Sequence, residues 1–138
     1  MPDATEAVYN GRHARNEGNF PKARAHYTEA AHIYRDQNDI LAYAHCIRHI
    51  ADIYQQERKA IEAKPLYEEA LELYRSNLNT KLLDLANTVR PYALLTEQEG
   101  SLDLARTLWA EARNLYSSLR VDAGISECNA HLAKLQRS

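Results

Sequence analysis

His45, His49 and Asp52 have the residue types and the spacing of metal ligands on one predicted helix. They lie at positions i, i+4 and i+7, so their side chains project from the same helical face. Imidazole nitrogens and carboxylate oxygens are common zinc ligands. However, no fourth ligand is evident, and Cys46 follows His45 where a helical zinc-hydrolase motif has Glu. We therefore interpret the pair as partly exposed histidines on a polar helix face, and keep a metal site as an alternative.

Other patterns that would indicate catalysis are missing from the sequence. It contains no Gly-rich phosphate-binding loop and no readable arrangement of nucleophile, base and orienting residue. We therefore expect neither an enzyme nor a bound cofactor.

The helices that carry these residues recur along the chain. Small and aromatic residues with gaps of four, three and four place four side chains on one helical face. The pattern occurs three times, as Ala23, Tyr27, Ala30 and Tyr34, as Ala63, Tyr67, Ala70 and Tyr74, and as Ala105, Trp109, Ala112 and Tyr116. A small residue (Gly11, Ala51 or Ala93) lies twelve residues before each first alanine, where it would let two helices cross closely. The repeat period is about 42 residues, which predicts a helix A followed by a helix B in each repeat.

Turn and cap residues predict the boundaries of the repeats. The first repeat spans about 3–37, the second about 39–77, the third about 80–119, and a final helix about 122–137. Gly18 and Gly100 predict helix ends, because glycine tolerates the left-handed conformation found there. Asn19 and Ser101 predict the N-caps of the helices that follow. The final helix has one apolar and one polar face, which suits the end of a helical array, and we expect the chain to be complete there.

The overall composition favours one all-α domain. The chain has 138 residues, of which 45% are hydrophobic and 26% charged, so we expect a packed core and not disorder. Four Gly and four Pro leave little material for β-turns. The formal net charge of -2 does not favour nucleic-acid binding, and no apolar run has the length of a membrane span.

The N-terminal segment and the cysteines both favour a cytoplasmic location. The acidic segment 1–6 lacks the charged and then apolar layout of a signal peptide. Cys46 and Cys128 lie on different predicted helices without a close pair, as expected of reduced thiols. We therefore expect a cytoplasmic protein.

With these motifs the chain resembles the tetratricopeptide repeat (TPR) proteins. Their signature combines a small residue in helix A with an alanine–aromatic pair in helix B, and Gly11, Ala23 and Tyr27 occupy these places in the first repeat. The repeat is longer than the usual length of about 34 residues and is similar to that of kinesin light chains, most closely over 51–54 and 63–71. The added length is about two helical turns, which preserves the packing faces. The resemblance implies a right-handed α-solenoid of three helix hairpins and a C-terminal capping helix, seven helices in all.

The resemblance also implies a binding surface, because in such arrays the A helices line a concave groove. The candidate peptide-binding residues beside their packing faces are Arg12, Arg15, His45, Arg48, Asp52, Gln55, Asn87, Arg90 and Glu97. On the last helix the same stripe contains Glu127, Lys134 and Arg137. Arg48 and Arg90 form a ladder of guanidinium groups that suits carboxylates. Basic residues outnumber acidic ones in these stripes although the whole chain is slightly acidic, so we expect an acidic partner segment.

We therefore expect a non-catalytic scaffold that binds a peptide or a partner protein in this groove, with no role in binding nucleic acid or membranes. The chain itself is expected to be a monomer or a weak dimer. One alternative is a self-associating structural module, on which the arginines are only solvated surface. A second alternative is a metal-binding protein that uses His45 and His49.

Overall fold

A computed structural model describes residues 3–136; Arg137, which the sequence places on the last stripe, lies outside them. These residues form seven α-helices and no β-strand. The helices are α1 (Ala4–Asn16), α2 (Phe20–Asp36), α3 (Ile40–Gln56), α4 (Ala60–Arg75), α5 (Leu82–Gln98), α6 (Leu102–Leu119) and α7 (Asp122–Gln136). The prediction of an all-α fold with seven helices is confirmed over this range.

The helices pack in sequence order within two compact units, which divide between Leu78 and Asn79. In the first unit α1 packs on α2, α2 on α3, and α3 on α4. In the second unit α5 packs on α6, and α6 on α7. Within each unit this is the succession of neighbouring contacts that a helical repeat array requires. That the two units form one domain stays a prediction.

The same tight turn connects most of the successive helices. Each turn has one central residue, such as Gly18 in the first turn. The residue that follows it donates its backbone N–H to the carbonyl oxygen five residues earlier, as Asn19 does to Ala14 at 2.9 Å. Successive central residues are separated by the same number of residues in both units. The separation of Gly18 from Arg58 equals that of Ala23 from Ala63, the first alanines of the first two copies of the repeat motif. The helix ends predicted from Gly18 and Gly100 are confirmed. The sequence also places breaks between helices near 38, over 56–58 and near 120, but it does not predict the left-handed conformation of Asn38, Arg58 and Arg120. The central residues, all in the left-handed conformation, are Gly18, Asn38, Arg58, Gly100 and Arg120.

Side-chain caps fix the starts of three helices in the first unit. The side chains of Asp3, Asn19 and Asp39 accept hydrogen bonds from backbone N–H groups three residues later, at 2.7, 3.3 and 3.2 Å. The predicted cap at Asn19 is confirmed. Ser101 lies at the start of α6, but its side chain makes no capping bond and its hydroxyl donates to Glu99 at 3.2 Å. The predicted N-cap position of Ser101 is confirmed, but the capping hydrogen bond expected of its side chain is absent.

Aromatic rings of one helix pack directly on glycines of a neighbouring helix. A β-carbon added to Gly11 would lie 2.8 Å from Cδ2 of Tyr27, and one added to Gly124 would lie 2.6 Å from Cγ of Tyr116. Both tyrosine rings are buried. Glycine is required at these positions because only its bare α-carbon permits such a close approach. The sequence predicted this role for Gly11 but not for Gly124.

We predict that Gly11→Ala destabilises the protein, although alanine is normally about 1 kcal/mol better than glycine inside a helix. The new methyl group would overlap the buried ring of Tyr27, and overpacking of this kind costs about 1–3 kcal/mol. Urea unfolding followed by circular dichroism measures the difference. In a Tyr27→Leu background the same substitution should cost clearly less, and an equal cost in both backgrounds would contradict the clash as its cause.

Candidate functional site

The predicted site residues of the first unit lie on α1 and α3, and Arg15 connects these two helices. Its Nε donates to Oε1 of Gln56 at 2.6 Å, and its Nη1 lies 3.5 Å from Nδ1 of His49. We define the α1–α3 face by its members, which are Arg12, Arg15, His45, Arg48, His49, Asp52 and Gln55. Six of these were candidate binding residues, and His49 is the addition.

Arg48 and Asp52 form an internal ion pair on this face. Nη1 of Arg48 donates to Oδ2 of Asp52 at 2.8 Å, and the hydroxyl of Tyr67 donates to Oδ1 at 2.5 Å. The two charged side chains are only 14% and 13% exposed. Burial, and next the charge of Asp52, raise the pKa of Tyr67, so its hydroxyl remains a donor. Arg48 therefore already has a carboxylate partner within its own helix.

Two polar atoms of the same face are buried without a hydrogen-bond partner among residues 3–136. They are Nε of Arg48 and Oε1 of Gln55. A buried polar atom that lacks a partner costs about 1–3 kcal/mol. This side of α3 therefore contains two buried polar atoms whose hydrogen-bonding capacity is not used within residues 3–136.

Arg12 and Arg15 differ from Arg48 because neither contacts a carboxylate within the described part of the chain. Arg12 is exposed and hydrogen-bonds to the side chain of Tyr27. Arg15 is half-buried and is held by the uncharged side chains of Gln56 and His49. The positive charge of the α1–α3 face is therefore concentrated at these two guanidinium groups.

His49 is neutral within this basic surrounding. Its Nδ1 faces Arg15, which can only donate, so the ring proton lies on Nε2 and donates to Nε2 of His45 at 2.9 Å. Its ring stacks on Tyr27 with centroids 5.0 Å apart and an interplanar angle of 11°. Burial, and next the positive charge of Arg48, lower the pKa of His49 to about 2.

This arrangement does not favour metal binding by His45 and His49. A metal ion would have to replace the proton on Nε2 of His49, and the proton could then move only to Nδ1, against Arg15. Both oxygens of Asp52, the third candidate ligand, already accept hydrogen bonds. Among residues 3–136, no group of three or more His, Cys, Asp or Glu side chains is arranged to hold a metal ion.

In the second unit, the predicted residues Asn87 and Arg90 of α5 bind side chains of α6 and α7. The hydroxyl of Tyr116 donates to Oδ1 of Asn87 at 2.8 Å. Arg90 donates through Nε and Nη2 to the two oxygens of Glu127, at 2.5 and 2.8 Å. This two-bond geometry is the strongest that an arginine makes with a carboxylate. The second member of the arginine ladder thus also has an internal acidic partner.

Glu97, the third predicted residue of α5, joins three helices. Its carboxylate accepts hydrogen bonds from Nε1 of Trp109 at 2.9 Å, Nδ1 of His131 at 2.8 Å and Nζ of Lys134 at 3.0 Å. The ring of His131 stacks on that of Trp109 with centroids 4.0 Å apart. Burial acts to raise the pKa of Glu97, but the hydrogen bonds from Lys134 and His131 outweigh it and lower the pKa below its usual value.

The sequence analysis missed this stack although a signal for it exists. The interval from Tyr27 to His49 along the chain equals the interval from Trp109 to His131. In both cases the imidazole lies flat on the aromatic ring of the preceding helix. A search for histidine at a fixed distance after each repeat's aromatic residue would have found both pairs.

A cleft of about 600 Å³ lies beside the pair of Arg90 and Glu127 in the second unit. It is lined by Leu83, Asn87, Arg90, Tyr116, Val121, Ala123, Gly124 and Glu127. The charges of Arg90 and Glu127 offset each other. The cleft is thus nearly neutral, unlike the α1–α3 face.

The two cysteines are buried and form no disulfide. Burial is the main cause that raises the pKa of Cys46 to about 12 and that of Cys128 to about 11, so neither thiol is suited to nucleophilic chemistry. Over the described range, no helix combines the length and the apolar character that crossing a membrane requires.

Comparison with known proteins does not assign a family. No protein-family model matches the chain, and no curated protein matches it at significant similarity.

We predict that His49 makes the free energy of unfolding fall as the pH decreases below about 6.5. Its pKa is about 2 in the folded protein and near 6.5 in an unfolded chain, so only the unfolded chain takes up the proton. The stability is complete above about pH 6.5, and up to about 1.4 kcal/mol is lost for each pH unit below it. Urea unfolding between about pH 6.5 and pH 4.5 should show a flatter slope for His49→Gln. The exposed His32 supplies the control: His32→Gln should keep the wild-type slope, and equal slopes for all three proteins would contradict the assignment.

We also predict that zinc and nickel do not bind to His45 and His49, since binding would place a proton of His49 against Arg15. Isothermal titration at neutral pH should show no heat beyond dilution, and the melting temperature should not change. Heat that is present for the wild type and lost in His45→Ala would contradict this expectation.

Proposed function

We propose that the chain is a non-catalytic, cytoplasmic protein-interaction module of the tetratricopeptide repeat type, and that it binds an acidic segment of a partner on the α1–α3 face. The repeated helix pairs and the contacts between glycine and tyrosine rings support the fold part of this proposal. The buried, unpaired thiols of Cys46 and Cys128 agree with a reducing compartment.

The observation that carries the proposal is the state of Arg12 and Arg15. Arg24, Arg48 and Arg90 each contact a carboxylate of their own unit. Arg12 and Arg15 have only uncharged partners among the described residues. An acidic segment would therefore bind them without competing against an internal acid, and their field would steer it toward the face.

Arg15 is also positioned before any ligand arrives. Gln56 holds its Nε, and His49 lies against its Nη1. An arginine that is already held loses less conformational freedom on binding, which lowers the entropic cost of association. Arg48 and Arg90, in contrast, would have to exchange Asp52 or Glu127 for the ligand. In this proposal Arg12 and Arg15 bind the partner directly, Arg48 helps to organise the α1–α3 face through Asp52, and Arg90 joins α5 to α7 within the second unit.

We predict that Arg12→Glu combined with Arg15→Glu weakens binding of a fluorescein-labelled glutamate–serine peptide by about tenfold or more, which corresponds to about 1.4 kcal/mol. Charge reversal converts the two guanidinium groups into repulsive carboxylates. Fluorescence anisotropy at about 0.15 M salt measures the affinity, after circular dichroism has shown equal helicity. Light scattering on the same samples tests the expected monomer or weak dimer.

The matched control is Lys22→Glu with Arg58→Glu. It makes the same change in net charge at two exposed cations outside the α1–α3 face, and should leave the affinity within about twofold of the wild type. An equal loss in both double variants would show only a general charge effect and would contradict the assigned face. Absence of binding by the wild-type chain would contradict the proposed function itself.

A further inference from the structure

The α1–α3 face carries more positive charge than one carboxylate can offset. Its three arginines are opposed by Asp52 alone, and both oxygens of Asp52 already bond to Arg48 and Tyr67. An excess of two positive charges therefore remains, at Arg12 and Arg15. A single glutamate or aspartate of a ligand would leave one of these guanidinium groups without an anionic partner. A phosphomonoester, which carries about -1.5 to -2 charges at pH 7, matches the excess.

The geometry of the two arginines favours the same group. Arg12 and Arg15 are three residues apart on α1, so they are neighbours on one side of the helix. Each guanidinium presents a planar fork of N–H donors. A carboxylate has two oxygens and fills one fork, whereas a phosphate group has three acceptor oxygens that two forks can share.

The neighbouring side chains leave donors for such a ligand. Arg15 uses Nε for Gln56 and Nη1 for His49, and its Nη2 has no partner within residues 3–136. His49 stays neutral, so it adds no charge that would require a further acid. Gln56 and His49 thus fix the orientation of Arg15 without neutralising its positive charge.

We propose that the α1–α3 face recognises a phosphorylated serine or threonine in a segment of a partner protein, with Arg12 and Arg15 as the phosphate-binding residues. This inference rests on the proposed function and specifies the chemistry of its acidic segment. The phosphate is placed in a protein segment and not in a nucleic acid, because the chain as a whole has a net charge of -2.

The test uses three labelled peptides that are identical and neutral except at one central position, which is phosphoserine, glutamate or serine. We expect the full chain to bind the phosphoserine peptide at least about tenfold more tightly than the glutamate peptide, and the serine peptide not at all. The affinity for the phosphoserine peptide should fall as the pH decreases through about 6, where the phosphate takes up its second proton. The glutamate peptide should show no such change in this range.

The double variant Arg12→Lys with Arg15→Lys tests whether binding needs the planar N–H fork of arginine or only its positive charge. It keeps both positive charges but removes both forks, so the affinity for the phosphoserine peptide should fall about tenfold, and an unchanged affinity would contradict recognition of the phosphate by the two forks. Lys22→Arg with Arg58→Lys is the control and should leave the affinity for the phosphoserine peptide within about twofold of the wild type.

Distinct outcomes separate the two proposals. If the chain binds the glutamate–serine peptide but shows no preference for phosphoserine over glutamate, the phosphate inference is overturned and the proposed function stands. If inorganic phosphate competes at the same concentration as the phosphoserine peptide, the face is a bare anion site and the inference of a phosphorylated segment is also overturned. If no acidic or phosphorylated peptide binds, both proposals fail.

Discussion

The structure depends on aromatic side chains whose rings are buried and whose polar atoms reach a neighbouring helix. Tyr27 and Tyr116 pack their rings on Gly11 and Gly124, where no other residue leaves enough room. Because a buried hydroxyl or indole N–H needs a hydrogen-bond partner, polar side chains must lie within hydrogen-bonding distance of these aromatic residues. Asp52, Asn87 and Glu97 supply those partners to Tyr67, Tyr116 and Trp109. The packing of the aromatic rings in the core therefore also determines where polar residues of the A helices must lie.

This constraint explains what the sequence could predict. The repeated spacing of small and aromatic residues reports the core directly, and it led to the seven helices and to the role of Gly11. It could not show which polar residues pair, since Arg90 and Glu127 lie far apart in the chain and meet only once α7 has packed. The left-handed conformation of Arg58 and Arg120 was not predicted for a different reason. Arginine has no intrinsic preference for the left-handed conformation, and the hydrogen bonds of the turn impose it there.

The two units use their arginines differently. In the second unit α7 supplies Glu127 to Arg90, and Lys134 to Glu97, so the charges of the predicted stripe are largely matched internally. In the first unit α1 adds Arg12 and Arg15 without any acid to match them among the described residues. Our proposals therefore assign anion recognition to the first unit. Arg48 and Arg90, which spacing alone singled out, are instead paired with Asp52 within α3 and with Glu127 of α7.

The stack of His131 on Trp109 has a practical consequence. Trp109 is the only tryptophan of the chain, and its ring is fully buried against a side chain of the last helix. Its intrinsic fluorescence is therefore a spectroscopic reporter of whether α7 is in place, because departure of that helix would remove the imidazole from the indole and admit water to it. Fraying of α7 is thus observable in solution without attaching any label.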